Sequence, residues 1–242
     1  MQKLQNRTAL VTGGSRGIGA GIAVALARAG ADVAVNYRER TAAAQAVCAE
    51  ISALGRRALA VRANVSLAVE VADMIGKIRQ ELGPVSILVN NAGIARRQPF
   101  EEISEQDWDE ILTANLKSVF LVTRAVVEDM RKQKWGRIIN VSSLAAQTGG
   151  SVGAHYAASK AGMLGLTHAC ASRYVRDGIT VNAIAPALIA TEMSAYLKAD
   201  PERIPMKHLG SVDDVASVAV LLATNEYITG QTIHVNGGMH MT

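Results

Sequence analysis

The sequence has few aromatic residues and few cysteines. Aromatics make up 4% of the 242 residues, and the only two cysteines, Cys48 and Cys170, lie far apart without C-x-x-C spacing. That spacing excludes a disulfide framework and a cysteine zinc site, and we interpret both as core thiols. The chain also lacks an uncharged apolar run of about 18 residues and a signal-peptide pattern at its start. We therefore expect a cytoplasmic protein that does not bind membranes.

The sequence also lacks long runs of one charge. The net charge is +4, but the 25 basic residues are interleaved with 21 acidic ones. This distribution argues against a nucleic-acid partner and fits a protein that binds phosphorylated small molecules. Since 49% of the residues are hydrophobic and 19% are charged, the chain can bury a full core, and disordered and collagen-like classes are excluded.

Short apolar runs alternate with longer stretches of helical period, which is typical of βαβ units and a parallel sheet. We predict an α/β fold in which residues 1–242 form one domain, with helices on both faces of a seven-stranded parallel sheet. The predicted strands are Thr8–Thr12, Asp32–Asn36, Arg57–Arg62, Ile87–Asn90, Arg137–Ser142, Thr180–Ala185 and Thr232–Val235. The clearest predicted helices are Ile18–Ala29 and Asp107–Met130, and Ala199–Pro205 is predicted to be a loop or lid. The second helix carries an apolar stripe that includes Trp108 and continues through Phe120, and the polar Asn115 interrupts this stripe.

A glycine-rich segment follows the first strand and opens the first helix. Spaced glycines let the backbone turn tightly and approach a pyrophosphate, which the helix N-terminus then binds. This context favours a Rossmann dinucleotide-binding fold over the alternative, a glycine-rich turn without a ligand. The residues predicted to bind the cofactor here are Gly13, Ser15, Arg16, Gly17, Ile18 and Gly19.

The end of the second strand, Asn36-Tyr37-Arg38, has no carboxylate at its tip to bind a ribose 2′-hydroxyl. Arg38 and Arg16 could instead bind a 2′-phosphate through paired donors. Glu39 lies at the usual distance for the ribose acid, but it follows Arg38 and is interpreted as a solvated side chain. We therefore predict NADP(H) as the cofactor; the alternative is that each arginine is an ordinary solvated charge.

The strongest chemical signal is Tyr156-Ala157-Ala158-Ser159-Lys160, since a spacing of four places the phenol and the ammonium on one face of a helix. A nearby cation is expected to lower the pKa of Tyr156 and so favour proton transfer. Ser143, at the end of the fifth strand, could donate to a substrate oxygen that gains charge as a carbonyl is reduced. Taken singly, these residues could be a surface pair and a strand end.

The order of the glycine loop, Asn90–Gly93, Asn115, Ser143, Tyr156 and Lys160 resembles the short-chain dehydrogenase/reductase family over essentially the whole chain. The resemblance implies that Tyr156 is the general acid/base, that Lys160 also binds the nicotinamide ribose, that Ser143 orients the carbonyl and that Asn115 holds a relay water. It also implies cofactor contacts from Asn64, Val65, Asn91, Ala92, Gly93, Pro186, Ile189 and Thr191. Asn64 stands where the family usually has Asp, and it could still accept from the adenine amino group.

Within that family, three segments are similar to 3-oxoacyl-[acyl-carrier-protein] reductases and acetoacetyl-CoA reductases: Gly136–Ser143, Gly178–Asn182 and Tyr227–Met239. This implies NADPH-dependent reduction of a 3-oxoacyl thioester, an acyl carrier protein as a possible partner, and a homotetramer. Two departures leave the substrate open: Pro186-Ala187 replaces the usual Pro-Gly, and the lid, residues 192–209, is short. The alternatives are a dehydrogenase for a sugar, polyol, steroid or other secondary alcohol, and a non-catalytic NADP(H) sensor.

Two further groups of residues could contribute to function: a basic surface pair and the histidines. Lys134 and Arg176 could contact an acidic carrier protein, although Asp177 lies beside them and plain solvation explains them equally well. His155 precedes Tyr156 and is expected to have a wall or surface role. The remaining histidines show no metal-ligand spacing, and we predict no catalytic metal; they are His168, His208, His234 and His240.

Overall fold

The computed structural model describes residues 3–197 and 200–241, which form alternating strands and helices. The strands are β1 (Thr8–Val11), β2 (Asp32–Tyr37), β3 (Ala58–Arg62), β4 (Val85–Asn90), β5 (Gly136–Val141), β6 (Ile179–Pro186) and β7 (Thr232–Val235). The α-helices are α1 (Gly17–Arg28), α2 (Thr41–Ala53), α3 (Ala68–Glu81), α4 (Glu105–Leu112), α5 (Ser118–Gln133), α6 (Ala145–Thr148), α7 (Ala154–Tyr174), α8 (Glu192–Tyr196) and α9 (Val212–Thr224).

The strands form one parallel sheet in the order β3-β2-β1-β4-β5-β6-β7. The chain builds outwards from β1 to β3 and then returns to the middle, so β4 lies on the other side of β1. At such a reversal the connections diverge and leave a crevice outside the carboxyl ends of the strands, where α/β proteins bind ligands. The predicted α/β Rossmann fold with seven parallel strands is confirmed.

Helices cover both faces of the sheet because alternate strand residues point in opposite directions. In β1, Ala9 and Val11 join a buried cluster with α1, α2 and α9, whereas Leu10 joins a second cluster with α3, α5 and α7. Both clusters consist mostly of small and branched aliphatic side chains, which lets the helices pack closely on the sheet. This packing holds the carboxyl edge of the strands in a fixed position.

The predicted element boundaries are close to those observed, with one substantive correction. All seven predicted strands are present; the largest shift is at β4, which begins at Val85 rather than Ile87. The predicted helix Asp107–Met130 is not continuous, because a π-helical segment over Thr113–Lys117 separates α4 from α5. Two residues assigned to its apolar stripe, Trp108 and Phe120, are 36% and 46% exposed.

Other predicted features are found where the chain is described. Cys48 and Cys170 are unpaired and half-buried, and burial raises the pKa of each thiol. The predicted loop contains one 3₁₀ turn, Pro201–Arg203, while its first residue, Ala199, lies outside the described residues. So do Lys198 of the predicted lid and Met1, Gln2 and Thr242 of the predicted domain. Within 3–197 and 200–241, no helix combines the length and apolarity needed to cross a membrane.

Candidate active site

Two adjoining cavities of about 340 and 470 Å³ lie at the carboxyl edge of the sheet. Both are lined by Asn91, Gly93 and Thr191, so they form one continuous cleft. The smaller cavity holds most of the predicted cofactor residues: Gly13, Ser15, Arg16, Gly17, Ile18, Gly19, Asn36, Tyr37, Arg38, Asn64, Val65, Asn91, Ala92, Gly93 and Thr191. The larger cavity holds Ser143, Tyr156, Lys160, Pro186 and Ile189. The structure thus brings together every residue predicted to contact a cofactor.

The glycine loop is shaped for close approach of a ligand to the backbone. Gly13 and Gly17 have positive φ angles of 61° and 52°, a region that favours glycine. A Cβ on Gly19 would lie 2.4 Å from Nδ2 of Asn91, so no other side chain fits. That amide donates to the carbonyls of Thr12 and Gly13 at 3.0 and 3.1 Å and fixes the loop against the end of β4.

The N-terminus of α1 faces this loop without a side-chain acceptor. Its N-cap is Arg16, which makes no capping hydrogen bond, and its first turn has no acidic residue. The first N–H groups of a helix and its dipole together favour an anion. The narrow glycine loop and this free helix end fit the pyrophosphate of a dinucleotide.

Two asparagines predicted to contact the cofactor make hydrogen bonds to other parts of the protein. Asn36 accepts from the backbone N–H of Gly13 at 3.3 Å and donates to the carbonyl of Ala63 at 3.1 Å, so it ties the glycine loop to the end of β3. The side-chain oxygen of Asn64 accepts from the N–H of Ser66 at 3.1 Å. The oxygen that was expected to meet an adenine amino group therefore already has a partner.

Arginines from two segments surround the outer end of the smaller cavity. Arg38 pairs with Glu39 at 3.3 Å. The Glu39 side chain is 73% exposed, as expected for a solvated carboxylate, and it also lies against the arginine predicted to bind a phosphate. Arg16 and Arg40 both pair with Glu192, the first residue of α8. Arg40 and Glu192 also line the cavity and were missed by sequence reasoning, because nothing in the chain signals that positions 152 residues apart meet.

In the larger cavity, Ser143, Tyr156 and Lys160 line one wall. Tyr156 and Lys160 lie near the start of α7, and Lys160 Nζ is 5.8 Å from the centroid of the Tyr156 ring. Lys160 Nζ donates to the carbonyl of Val141 at 2.8 Å, and the hydroxyl of Ser142 donates to the carbonyl of Lys160 at 2.9 Å. These bonds attach α7 to the end of β5, where Ser143 follows.

The protonation of this group differs from the expectation drawn from the sequence. Burial raises the pKa of Tyr156, and a hydrogen bond with the Ser143 side chain lowers it in part. Burial also lowers the pKa of Lys160 to about 8. The predicted lowering of the phenol pKa by Lys160 is therefore wrong for the protein alone, since loss of hydration outweighs the opposing effect of the Ser143 hydrogen bond. A raised pKa keeps the phenol protonated at neutral pH, which is the state a proton donor needs.

Asn115 lies in the π-helical segment, fully buried behind the cleft rather than in its wall. Its side chain accepts from the N–H of Ile94 at 2.8 Å and donates to the Ile94 carbonyl and to Ser159 Oγ at 3.0 Å each. A Cβ on Gly93 would lie 2.9 Å from Asn115 Oδ1 and 3.6 Å from Lys160 Nζ. Asn115 therefore joins the loop after β4 to α7, and π-helical insertions of this kind are frequent at functional sites.

His155 differs from the surface alternative considered for it. The residue is fully buried, and its Nδ1 accepts from the backbone N–H of Tyr156 at 2.9 Å. Across the described parts of the chain, no three His, Cys, Asp or Glu side chains converge in a way that could hold a metal ion.

The family model described as short chain dehydrogenase matches residues 7–202, which include both cavities' main walls. The chain belongs to the short-chain dehydrogenase/reductase family. It is an oxidoreductase of that family, whose members bind a nicotinamide cofactor, and the resemblance inferred from the sequence is confirmed.

The chain is similar to two reductases of the same description and to one solved structure. The chain is 46% identical to the 3-oxoacyl-[acyl-carrier-protein] reductase of Synechocystis, with all of both chains covered. It is 44% identical to the reductase of that name from Staphylococcus epidermidis, covering 98% of this chain and 100% of that one. A crystal structure of a candidate short-chain alcohol dehydrogenase from Sinorhizobium meliloti 1021 is similar at a TM-score of 0.91 and 39% identity, covering 98% and 97%.

Proposed function

We propose that this oxidoreductase reduces the keto group of a 3-oxoacyl thioester to the 3-hydroxyacyl thioester with NADPH. The observation that carries the proposal is the continuity of the cleft, in which the cavity holding Ser143 and Tyr156 opens into the one formed by the glycine loop. A ketone in the larger cavity would lie between proton-donating side chains and a cofactor in the smaller one. Similarity to reductases named for 3-oxoacyl substrates supports the substrate class.

Each catalytic role follows from position. A reduced nicotinamide would supply the hydride. The Ser143 hydroxyl would donate to the carbonyl oxygen as it gains charge, and Tyr156 would transfer its proton to that oxygen. With a pKa of about 8, Lys160 is mostly charged at pH 7, so it would stabilise the phenolate left behind. Asn115 would act indirectly by holding the loop at Gly93 and the start of α7 in place.

We also propose NADPH rather than NADH as the cofactor. Arg16, Arg38 and Arg40 all line the outer end of the smaller cavity. Guanidinium groups bind phosphate through paired, charge-assisted hydrogen bonds. Because Glu39 and Glu192 also line that cavity, the preference depends on how the three arginines are shared between these carboxylates and a ligand phosphate.

We also propose an oligomeric state and consider where an acyl carrier protein would bind. We expect a homotetramer formed through the helices that bear Asn115 and Tyr156 and through β7. On the helices that flank Asn115, Trp108 and Phe120 are exposed, and light scattering of the purified protein measures the assembly. The proposed carrier contact at Lys134 is weakened by an ion pair, since Lys134 Nζ lies 3.0 Å from Asp177.

The test is oxidation of NADPH and of NADH with acetoacetyl-CoA, cyclohexanone, a ketosugar and a ketosteroid. Tyr156→Phe removes the proposed donor, and Tyr227→Phe is the matched control because Tyr227 is fully exposed. We expect NADPH-dependent reduction of acetoacetyl-CoA that falls by about 10²- to 10⁴-fold in Tyr156→Phe and is unchanged in Tyr227→Phe. Turnover of another ketone alone would favour the secondary-alcohol alternative, and cofactor binding without any turnover would favour the sensor.

A further inference from the structure

The carboxylate of Glu192 lies between two arginines at the outer end of the smaller cavity. Arg16 Nη1 donates to Oε2, and Arg40 Nη1 donates to Oε1 at 3.0 Å, so each carboxylate oxygen binds one guanidinium. The hydrogen bond from Arg16 is the main cause that lowers the pKa of Glu192. The three residues come from the glycine loop, the start of α2 and the start of α8, and only the fold brings them together.

This arrangement uses donors that a cofactor phosphate would also need. A ribose 2′-phosphate carries up to two negative charges and several acceptor oxygens, and arginine is well suited to bind it. The Glu192 carboxylate already accepts from guanidinium N–H groups of Arg16 and Arg40, which are the kind of donor that a phosphate in the same cavity would need. We propose that Glu192 competes with the 2′-phosphate for Arg16 and Arg40, and so limits the preference for phosphorylated over unphosphorylated cofactor. The proposal rests on the NADP(H) assignment above.

The competition is expected to be reversible because the pairs are weak. The side chains of Arg16, Arg40 and Glu192 are 53%, 52% and 59% exposed. Ion pairs with this exposure are screened by water and salt and contribute little. A doubly charged phosphate can therefore displace the carboxylate, but only by giving up part of its binding free energy.

The competition also connects cofactor binding to the substrate cavity. Glu192 is the first residue of α8, and the next residue, Met193, lines both cavities. Thr191 caps α8, and a Cβ on Gly17 would be only 3.4 Å from its Cγ2, so this helix start lies against the glycine loop. Release of Glu192 by a phosphate removes the two ion pairs that tie α8 to the glycine loop and to the start of α2.

The experiment compares two ligands that differ only in the phosphate, 2′,5′-ADP and 5′-AMP. Their dissociation constants are measured by calorimetry at low ionic strength for the wild type, Glu192→Gln and Glu50→Gln. Glu50 is the matched control because it forms a similarly exposed pair with Arg28, between α2 and α1. A fourth protein, Glu192→Gln combined with Arg40→Gln, tests whether the effect acts through Arg40. Hydrogen exchange in residues 188–197 is followed with each ligand.

We expect Glu192→Gln to raise the ratio of the 5′-AMP to the 2′,5′-ADP dissociation constant by about three- to tenfold, and Glu50→Gln to leave this ratio unchanged. In the double variant, the added Arg40→Gln should remove most of the increase. Exchange in 188–197 should increase with 2′,5′-ADP but not with 5′-AMP in the wild type. A wild-type preference for 2′,5′-ADP that Glu192→Gln does not alter would overturn the competition while sparing the NADP(H) assignment. Equal binding of the two ligands by every protein would overturn both.

Discussion

Replacement of Lys160 by Met should cause a steep loss of activity but little loss of folding stability at pH 7. Lys160 is 5% exposed, and burial lowers its pKa from 10.5 to about 8. At about 1.36 kcal/mol per pKa unit, holding this ammonium charged in the folded state at pH 7 costs on the order of 3 kcal/mol. Methionine fills a similar volume without that penalty.

The substitution also removes a favourable contact. Lys160 Nζ donates to the carbonyl of Val141 at 2.8 Å. A hydrogen bond from a charged group contributes roughly 1.5 to 3 kcal/mol. The two effects nearly cancel at pH 7, where we expect Lys160→Met to be about as stable as the wild type, or more stable by up to about 2 kcal/mol.

The pH dependence gives the sharper test. Between pH 8 and 10.5 the unfolded chain holds a proton on Lys160 that the folded chain has lost, so wild-type stability rises with pH relative to Lys160→Met. Above that window the charge penalty is gone, and the variant lacks only the hydrogen bond. The difference in unfolding free energy should therefore shift by about 2 to 3 kcal/mol in favour of the wild type between pH 7 and 10.

Urea unfolding from pH 7 to 10, followed by tryptophan fluorescence, measures this difference. Lys77→Met, which removes an exposed lysine from α3, controls for the loss of one positive charge. Activity should fall steeply in Lys160→Met at every pH. A stability difference that stays constant within about half a kcal/mol from pH 7 to 10 would instead show that the fold does not disfavour the buried ammonium.

Three further predictions concern the cofactor loop, the arginines and the π-helical segment. Gly19→Ala should destabilise the protein by more than about 2 kcal/mol, because its Cβ would lie 2.4 Å from Asn91. In the control Gly76→Ala the new Cβ meets nothing within 4 Å, so this variant should stabilise α3 by about 0.5 to 1 kcal/mol. Thermal unfolding of the two variants measures both effects. Arg38→Gln should weaken NADPH binding about tenfold and leave NADH binding unchanged in fluorescence titrations, and equal weakening of both would contradict a phosphate contact. Asn115→Ala removes three hydrogen bonds of a fully buried side chain and should lower the unfolding free energy by about 2 to 4 kcal/mol in urea. A loss under about half a kcal/mol would show that these bonds contribute little.

The fold could be predicted from the sequence because its local signals agree with one another. Each strand is a short apolar run between turn residues, and the glycine loop marks the first βα turn. The π-helical segment could not be predicted, because the apolar period continues through it. Asn115 was noticed only as a polar interruption, and the bonds to Ile94 that hold it exist only in the folded chain.

The candidate site was predictable as a set of residues but not as a set of contacts. The spacing of Tyr156 and Lys160 follows from helical geometry, and both line the cleft as expected. Their protonation depends on burial, which the sequence does not express, and the expected direction for Tyr156 was wrong. The Arg40–Glu192 pair was missed for a related reason, since it joins segments 152 positions apart.

Ser143, Tyr156 and Lys160 are proposed to act as one catalytic unit. The decisive measurement is kcat/KM for acetoacetyl-CoA reduction in Ser143→Ala, Tyr156→Phe, Lys160→Met and the triple variant, with NADPH binding measured in each. Residues that act together show losses that do not multiply. If the three residues act as a unit, the triple variant should be no more than about tenfold less active than the worst single variant. A triple loss equal to the product of the three single losses, or near wild-type turnover in Tyr156→Phe, would contradict it.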